Sequence, residues 1–421
     1  MRVLLVVDCY YPETKSSARL VHDLGAEMRQ QGHEVIVLAP SESIQHQMEI
    51  STEEGLRIVR VKTGKLKGAA KVLRAIREVR LSETLWHKAG RFLRANPCDL
   101  IVFYSPSIFF GSLVRRLKAL WGCPAYLILR DIFPQWAVDT GLLRKGAIYH
   151  FFRWKELVQY AAADVIGVQS PANLAYFAES LPQRKYQLEV LYNWTAINQD
   201  ASPATNYRAQ LGLQDKVVFF YGGNIGVAQD LDNIVRLAAS LRDEPQAYFL
   251  LVGDGSETER LKALIAEQKL GNIRLLPAVG QQEYQAMLAE FDVGLVSLDR
   301  KLKTQNFPGK ILGYLDHALP ILASLNPGND LGELLAGHDV GLCSFNGDDH
   351  SLRAHALQLA RDAALRTQMG QNGRQLLAAR FAVSATVSQI LAHFAHAPAV
   401  QYTDRIPAEI PLGATLGTRL R

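Results

Sequence analysis

"KVVFFYGGNIGVAQDLDN", residues 216–233, runs from an apolar stretch into a glycine-rich loop and then into a helix-like stretch. Val217 to Tyr221 have the β-branched and aromatic content of a buried strand. Gly222, Gly223 and Gly226 follow at once. Without a Cβ, the chain there can approach a ligand closely and turn its N–H groups toward an anion. A tight turn needing positive φ would use the same glycines. "DLD" (230–232) has the look of an Asp-x-Asp metal motif, but it opens a helix, where capping is the simpler role.

The same order of strand, loop and helix recurs on both sides. Downstream, "AYFLLVGDG" (247–255), "NIRLLPA" (272–278), "DVGLVSL" (292–298), "LPILASL" (319–325) and "VGLCSF" (340–345) read as strands. Upstream, "VLLVV" (3–7), "EVIVLA" (34–39), "LRIVRV" (56–61), "DLIVFY" (99–104), "AYLILR" (125–130) and "DVIGVQ" (164–169) form an earlier series. Between its first two members, residues 16–33 place Leu20, Leu24 and Met28 on one helical face with Val21. The pattern restarts near "YQLEVLYNW" (186–194), followed by a polar link over 195–214. Two such series predict an α/β protein of two doubly wound Rossmann-like domains facing across a cleft. The expected division is 1–190, 191–374, a helix over 375–395 crossing back to the first domain, and an extended, proline-bearing tail over 396–421. Ligands of such sheets bind beyond the carboxyl ends of the strands.

Composition narrows the function. The chain has 421 residues, 48% of them apolar, enough for two well-buried domains. Cys9, Cys98, Cys123 and Cys343 are far apart and form no CxxC, as expected of reduced cytoplasmic thiols. The apolar run after Met1 is too short for a signal peptide or a membrane span, so a cytoplasmic protein is expected. The net charge of +5 is uneven: residues 1–185 hold 26 Lys+Arg and 17 Asp+Glu (+9), leaving 20 against 24 (−4). Only the first half is therefore suited to an anionic surface.

Four more loops leave strands. "DCYYPETKSSAR" (8–19) lacks GxGxxG, so the nicotinamide or flavin fingerprint is missing. Lys15, Ser16, Ser17 and Arg19 could bind a phosphate or an acceptor sugar there, or serve as a cap with solvated cations. In "VGDGSE" (252–257), Gly253 and Gly255 follow a strand, and Asp254 or Ser256 is placed to cap the next helix. In "NFPGKILGYL" (306–315), Pro308 and Gly309 precede a helix whose first charged residue is Lys310, where an acid is usual. Free N–H groups and Lys310 both call for an anion, and Arg300, Lys301 and Lys303 lie just upstream. A diphosphate between "GGNIG" and "PGK" would satisfy both helix starts. In "LRDIFPQWAVDTG" (129–141), Asp131 stands at a strand's end facing the cleft, with Phe133 and Trp136 able to stack on sugar or lipid; a helix cap with core aromatics is the plainer alternative.

Taken together, "GHEV" (32–35), "YNW" (192–194), "YGGNIGVAQDLDN", "LVGDGSE", "FDVGLVSL" and the Pro-Gly-Lys helix start resemble the GT-B glycosyltransferases of the large, mostly retaining family 4, over roughly residues 1–395. "KTQNFPGKILGYL" and "NPGND" (326–330) resemble, more narrowly, bacterial O-antigen L-fucosamine transferases. The resemblance implies a nucleotide-sugar donor, UDP-linked, as co-substrate on the second domain. It implies no further cofactor and no metal. Gly222, Gly223, Asn224, Gly226, Gln229, Gly253, Asp254, Lys303, Asn306, Gly309, Lys310, Asn329 and Asp330 would line the donor site. Lys310 would neutralise the leaving diphosphate, and Asp131 would orient the acceptor hydroxyl. Lys15, Ser16, Ser17, Arg19 and Arg130 would lie on the acceptor side. Two glutamates common in the family would fall at Gln305 and Gly313, so their contact would pass to Asp330 or Glu333, or be lost. A nucleotide-sugar 2-epimerase shares this architecture, and a non-catalytic scaffold is the alternative of another class.

Residues 57–94 hold twelve Lys/Arg against Glu78 and Glu83, interleaved with Leu81, Leu85 and Trp86 among other apolar residues. "SLVRRLKALWG" (112–122) adds a second basic amphipathic stretch. Such faces suit an anionic bilayer, where a polyprenyl-diphosphate-linked glycan acceptor would reside. They equally describe ordinary solvated helix faces. Nucleic acid is not expected, since no helix-turn-helix, finger or RNA-binding motif is visible. The expected location is the inner face of the cytoplasmic membrane, attached peripherally.

Overall fold

The computed structural model describes residues 1–11, 16–64, 77–139, 141–197, 206–302 and 308–395. An eight-stranded sheet comprises β1 (Arg2–Val6), β2 (Glu34–Ser41), β3 (Met48–Glu53), β4 (Leu56–Lys62), β5 (Leu100–Tyr104), β6 (Ala125–Leu129), β7 (Val165–Val168) and β8 (Gln187–Val190). Its order is β3-β4-β2-β1-β5-β6-β7-β8, parallel except where β3 runs against β4. A six-stranded parallel sheet follows: β9 (Val217–Gly222), β10 (Ala247–Val252), β11 (Ile273–Leu276), β12 (Val293–Ser297), β13 (Ile321–Leu325) and β14 (Gly341–Phe345). Its order is β11-β10-β9-β12-β13-β14.

Strands β5, β6, β9 and β13 are buried along their whole length. Helices cover both faces of each sheet, so near-continuous apolar runs are needed. The predicted strands are all present. β3 is the addition: "MEISTE" is polar, but it pairs antiparallel with β4 along its whole length as an edge strand, and Glu53 also ion-pairs with Arg60 of β4 at 2.7 Å. The helix expected over 16–33 spans Ser16–Gln30. The helix expected over 375–395 is not continuous: the helix Ala363–Leu376, started by Asp362 whose carboxylate accepts from Leu365 N, runs on through Leu377–Phe381, the chain is extended at Ala382, and a separate helix, Val383–Ala392, follows.

The chain passes between the domains twice, and the two passes are joined. Thr195 N donates to Phe381 O (2.9 Å), and Val383 N donates back to Thr195 O (3.0 Å). The helix Val383–Ala392 then packs Val387 and Ile390 against Val21 and Leu24 of the first domain. Trp194 is fully buried there and donates its Nε1–H to Leu20 O at 2.8 Å. Among the described residues, no helix is long and apolar enough to cross a membrane.

The turn after β10 shows how tightly the second domain is fitted. A Cβ on Gly253 would lie 1.9 Å from the carbonyl oxygen of Gly223, a backbone atom that cannot rotate away. Gly253→Ala is therefore expected to destabilise the domain by about 2–3 kcal/mol. Gly271→Ala, whose Cβ would meet nothing within 4 Å, should stay within about 0.5 kcal/mol of wild type. Urea unfolding of both variants checks this; equal midpoints would mean the turn yields.

Candidate functional site

The order of the second sheet reverses at β9, which lies between β10 and β12. Its carboxyl end is the topological switch point, where a ligand crevice opens. The loop Gly222–Gly226 stands there. A Cβ on Gly222 would fall 2.2 Å from Tyr284 Cε2, and Gly223 has φ +133°, so both positions require glycine. Gly223 N donates to Val252 O, and Ile225 N to Asp254 O, which locks this loop to the one carrying Gly253 and Gly255. Asn224 Nδ2 and Gly226 N both donate to Gln229 Oε1, at 2.8 and 3.2 Å. Gln229 is thus engaged in shaping the loop. Asp254 accepts from Gly255 N and from Thr258 Oγ1, holding the start of the helix Thr258–Glu267.

Lys310 completes this side. Its half-buried side chain lies across Tyr221, with Nζ 3.3 Å from the ring centroid. Nζ is also 3.6 Å from where a Cβ on Gly223 would stand. Burial pushes the ammonium pKa well below its ordinary value. Among the described residues, no carboxylate pairs with it. A partly desolvated cation on a π face is poised for an anion; the loop N–H groups of Gly223, Ile225 and Gly226 are already taken by Val252 O, Asp254 O and Gln229 Oε1, so Lys310, not the glycine backbone, is what calls for it.

Several expectations change here. The helix behind Pro308–Gly309 is short, Lys310–Asp316, and its start is largely self-satisfied: Ile311 N donates to Pro308 O and Leu312 N to Gly309 O. What remains for an anion is the Lys310 side chain, not an open helix end. At Gly313, a Cβ would meet Leu288 Cδ1 at 3.0 Å and Tyr284 Cε1 at 3.8 Å. That position faces the helix Gln281–Glu290 and not the cleft, and the Tyr284 ring fills the space between Gly313 and Gly222. Asp330, expected at the donor, instead accepts through Oδ2 from Ala172 N of the first domain at 3.0 Å. Asn329 is buried and caps the helix Asp330–Gly337, accepting from Leu331 N. Glu333 is exposed. Neither aspartate of "DLD" caps by its side chain: Asp232 ion-pairs with Arg260, and Asp230 accepts from Asn346. Lys15, Lys303, Gln305 and Asn306 lie outside the described residues.

Across the cleft, the carboxyl ends of β1, β5 and β6 bring Asp8, Tyr104, Arg130 and Asp131 together. Asp131 keeps an open face to solvent while protein crowds its surroundings. This desolvation lifts its carboxyl above the ordinary range, and neighbouring Arg130 opposes the lift. Burial raises the Tyr104 hydroxyl to about 12 against the pull of Arg130. Arg130, expected on the acceptor side, serves the hinge: its guanidinium donates to Leu191 O (2.5 Å) and Tyr192 O (3.3 Å) and lies over Trp194. Asp8 and Tyr104 escaped the sequence reading. Their only signal was position, since both sit at carboxyl ends of strands. Ser17 contacts Cys9 (Oγ to Sγ, 3.1 Å). Arg19 pairs with Asp23 at 3.7 Å and also reaches the field of Asp316 on the other domain.

The basic stretches are less free than expected. Arg60 and Arg116 ion-pair with Glu53 and Glu83, and Lys118 with Asp164. Leu81 and Leu85, expected as membrane anchors, are buried in the first core, as are Leu113 and Leu117. Residues 65–76 lie outside the described part.

Residues 17–194 match the family described as "Glycosyl transferase 4-like domain", and residues 203–376 the family "Glycosyl transferases group 1". Two curated relatives are named as candidate glycosyl transferases. WcaI of Escherichia coli K12, of colanic acid biosynthesis, is 26% identical over 249 residues, 56% of this chain and 60% of its own length. WbjE of Pseudomonas aeruginosa is 26% identical over 255 residues, 59% of this chain and 62% of its own. The match thus spans about three fifths of each relative. Among solved structures, sucrose-phosphate synthase from Thermosynechococcus elongatus has a TM-score of 0.71 at 18% identity, covering 94% of this chain and 98% of that one. HepE of Anabaena in complex with UDP has a TM-score of 0.66 at 17% identity, covering 94% and 100%. WaaG, a glycosyltransferase involved in lipopolysaccharide biosynthesis, has a TM-score of 0.64 at 14% identity, covering 93% and 99%. These likenesses establish the two-domain GT-B fold.

Proposed function

We propose, for a chain that belongs to the GT-B glycosyltransferases of family 4, that it moves a sugar from a UDP-linked donor to a lipid-linked glycan in bacterial polysaccharide assembly. The observation that carries this is Lys310: a desolvated ammonium on Tyr221, beside a glycine at positive φ, at the switch point of the second sheet. A departing diphosphate supplies the charge that this position lacks. UDP is favoured because HepE, of the same fold, has been solved with UDP and with UDP-glucose. The names of WcaI and WaaG favour a polysaccharide product.

In this mechanism the bond from the sugar's anomeric carbon to the β-phosphate oxygen breaks, the acceptor hydroxyl oxygen bonds that carbon, and the hydroxyl proton passes to the departing diphosphate. Lys310 stabilises the charge that develops on the diphosphate, so the step proceeds without a metal. Asp131 orients the acceptor hydroxyl from the first domain. Attack on the face that the diphosphate leaves retains the anomeric configuration. The sugar we favour is an N-acetylated deoxy-hexosamine such as L-FucNAc, on the strength of "KTQNFPGKILGYL" and "NPGND".

The test is a panel of nucleotide sugars, L-FucNAc included, with a membrane lipid extract as acceptor and no added divalent metal. Transfer of label from a UDP-sugar into lipid is the expected result. Isomerisation of the donor without acceptor would make the protein an epimerase. Binding without turnover of any donor would make it a scaffold.

A further inference from the structure

Leu120 apart, the exposed large apolar residues of the first domain lie outside the two basic stretches. Trp136, Leu142, Ile148, Phe151 and Trp154 are all exposed, Ile148 by 64% and Trp154 by 55%. Trp136, Phe151 and Trp154 belong to one ring network: Phe133 contacts Trp136 and Phe152 (centroids 5.9 and 5.0 Å apart), Phe152 contacts Phe151 (5.6 Å), and Phe151 contacts Trp154 (6.1 Å); Ile148 lies one helical turn before Phe151 and Phe152.

The helix that carries most of this surface, Ala147–Tyr160, cannot turn it inward. Its other side is fixed to the core: Gln159 Oε1 accepts from Phe110 N, and buried Glu156 accepts from Tyr160 and Arg153. Residues 141–155 contain Arg144, Lys145, Arg153 and Lys155 and no acid. Arg144 and Lys145 are exposed, and Lys155 Nζ sits 4.7 Å over the Trp154 ring. Single exposed apolar residues are ordinary, whereas a contiguous aromatic patch marks a contact surface. Arg153 is neutralised by Glu156, which leaves Arg144, Lys145 and Lys155 beside exposed tryptophan, phenylalanine and isoleucine, a combination that matches the headgroup layer of an anionic bilayer. A neutral apolar protein partner would not call for that charge.

We propose that the surface from Phe133 to Trp154 seats this protein on an anionic lipid bilayer. Phe133 is two residues past Asp131, so the seat adjoins the first-domain side of the cleft. A lipid-linked acceptor would then present its glycan to Asp131 without leaving the membrane. The seat deepens the proposed function, and the lipid-linked acceptor gives it its purpose.

Flotation of the full chain with phosphatidylglycerol-containing vesicles tests it, with pure phosphatidylcholine vesicles as the neutral arm. The wild type should float with the anionic vesicles at low salt and be released at high salt. Ile148→Ser combined with Trp154→Ser should weaken that partition by about tenfold or more. Arg144→Glu combined with Lys145→Glu should abolish the preference for anionic over neutral vesicles. An unchanged melting temperature and UDP-induced shift would show that the variants are folded. Vesicle binding by the serine double variant equal to wild type overturns the proposal. So does sedimentation in which that variant only converts a dimer to a monomer. Transfer to a detergent-solubilised acceptor separates the two claims. Its persistence in the serine double variant, with vesicle binding unchanged, removes the seat and leaves the transferase. Its absence in every form, with vesicle binding lost in the variant, does the reverse.

Discussion

Lys310→Ala is expected to abolish most of the thermal shift given by UDP and to lower kcat about 10²- to 10³-fold. The second figure follows from removing one donor aimed at charge that develops in the transition state. The first follows from linkage: a ligand at a hundred times its Kd stabilises by about 2.7 kcal/mol, and this vanishes with the affinity. The apo variant should melt no lower than wild type, because a desolvated ammonium is itself a cost to the fold. That separates loss of function from misfolding. pH adds a signature. Burial depresses the Lys310 pKa, and in the proposed mechanism UDP binds the charged form. UDP affinity should therefore weaken as pH rises through the depressed value, with proton uptake on binding, and the alanine variant should lack this slope. A UDP shift in the variant equal to wild type would remove Lys310 from the site. Calorimetry in two buffers of different ionisation enthalpy measures the proton.

Asp131→Asn should lower transfer about a hundredfold while leaving UDP binding intact, since it misorients the acceptor without touching the donor. In the proposed role the carboxylate is the active form, and desolvation raises its pKa. Rate should be lost as pH falls through a value above the ordinary aspartate pKa of about 3.9, and the asparagine variant should have no such acid limb. Donor KM should be unchanged. If UDP binding falls along with transfer, Asp131 supports the fold or the donor instead, and its acceptor role fails.

Much of this was legible in the chain. The strands of both sheets follow from near-continuous apolar runs, because helices cover both faces and leave no room for polar alternation. β3 was missed for the complementary reason: an edge strand with one solvated side can be polar. The glycines after β9 and β10 were legible as close approaches. The partner was not, since the atoms that exclude a side chain at Gly253 belong to Gly223, thirty residues earlier.

The sequence by itself determined the two-domain α/β architecture and the glycine loop at the switch point. It also picked out Asp131 and Lys310, the two groups on which the proposed function rests. These are local matters of period, propensity and chain order. Only the tertiary structure decided which way side chains of the same type point. It turned Arg130 to the hinge carbonyls and Asp330 to the other domain. It faced Gly313 toward Leu288 and Tyr284, so that the absent glutamate marks a packed interface. It also buried Leu81 and Leu85 while exposing Ile148 and Trp154. Two amphipathic helices can carry similar residues, and which stripe meets water depends on what packs against the other side.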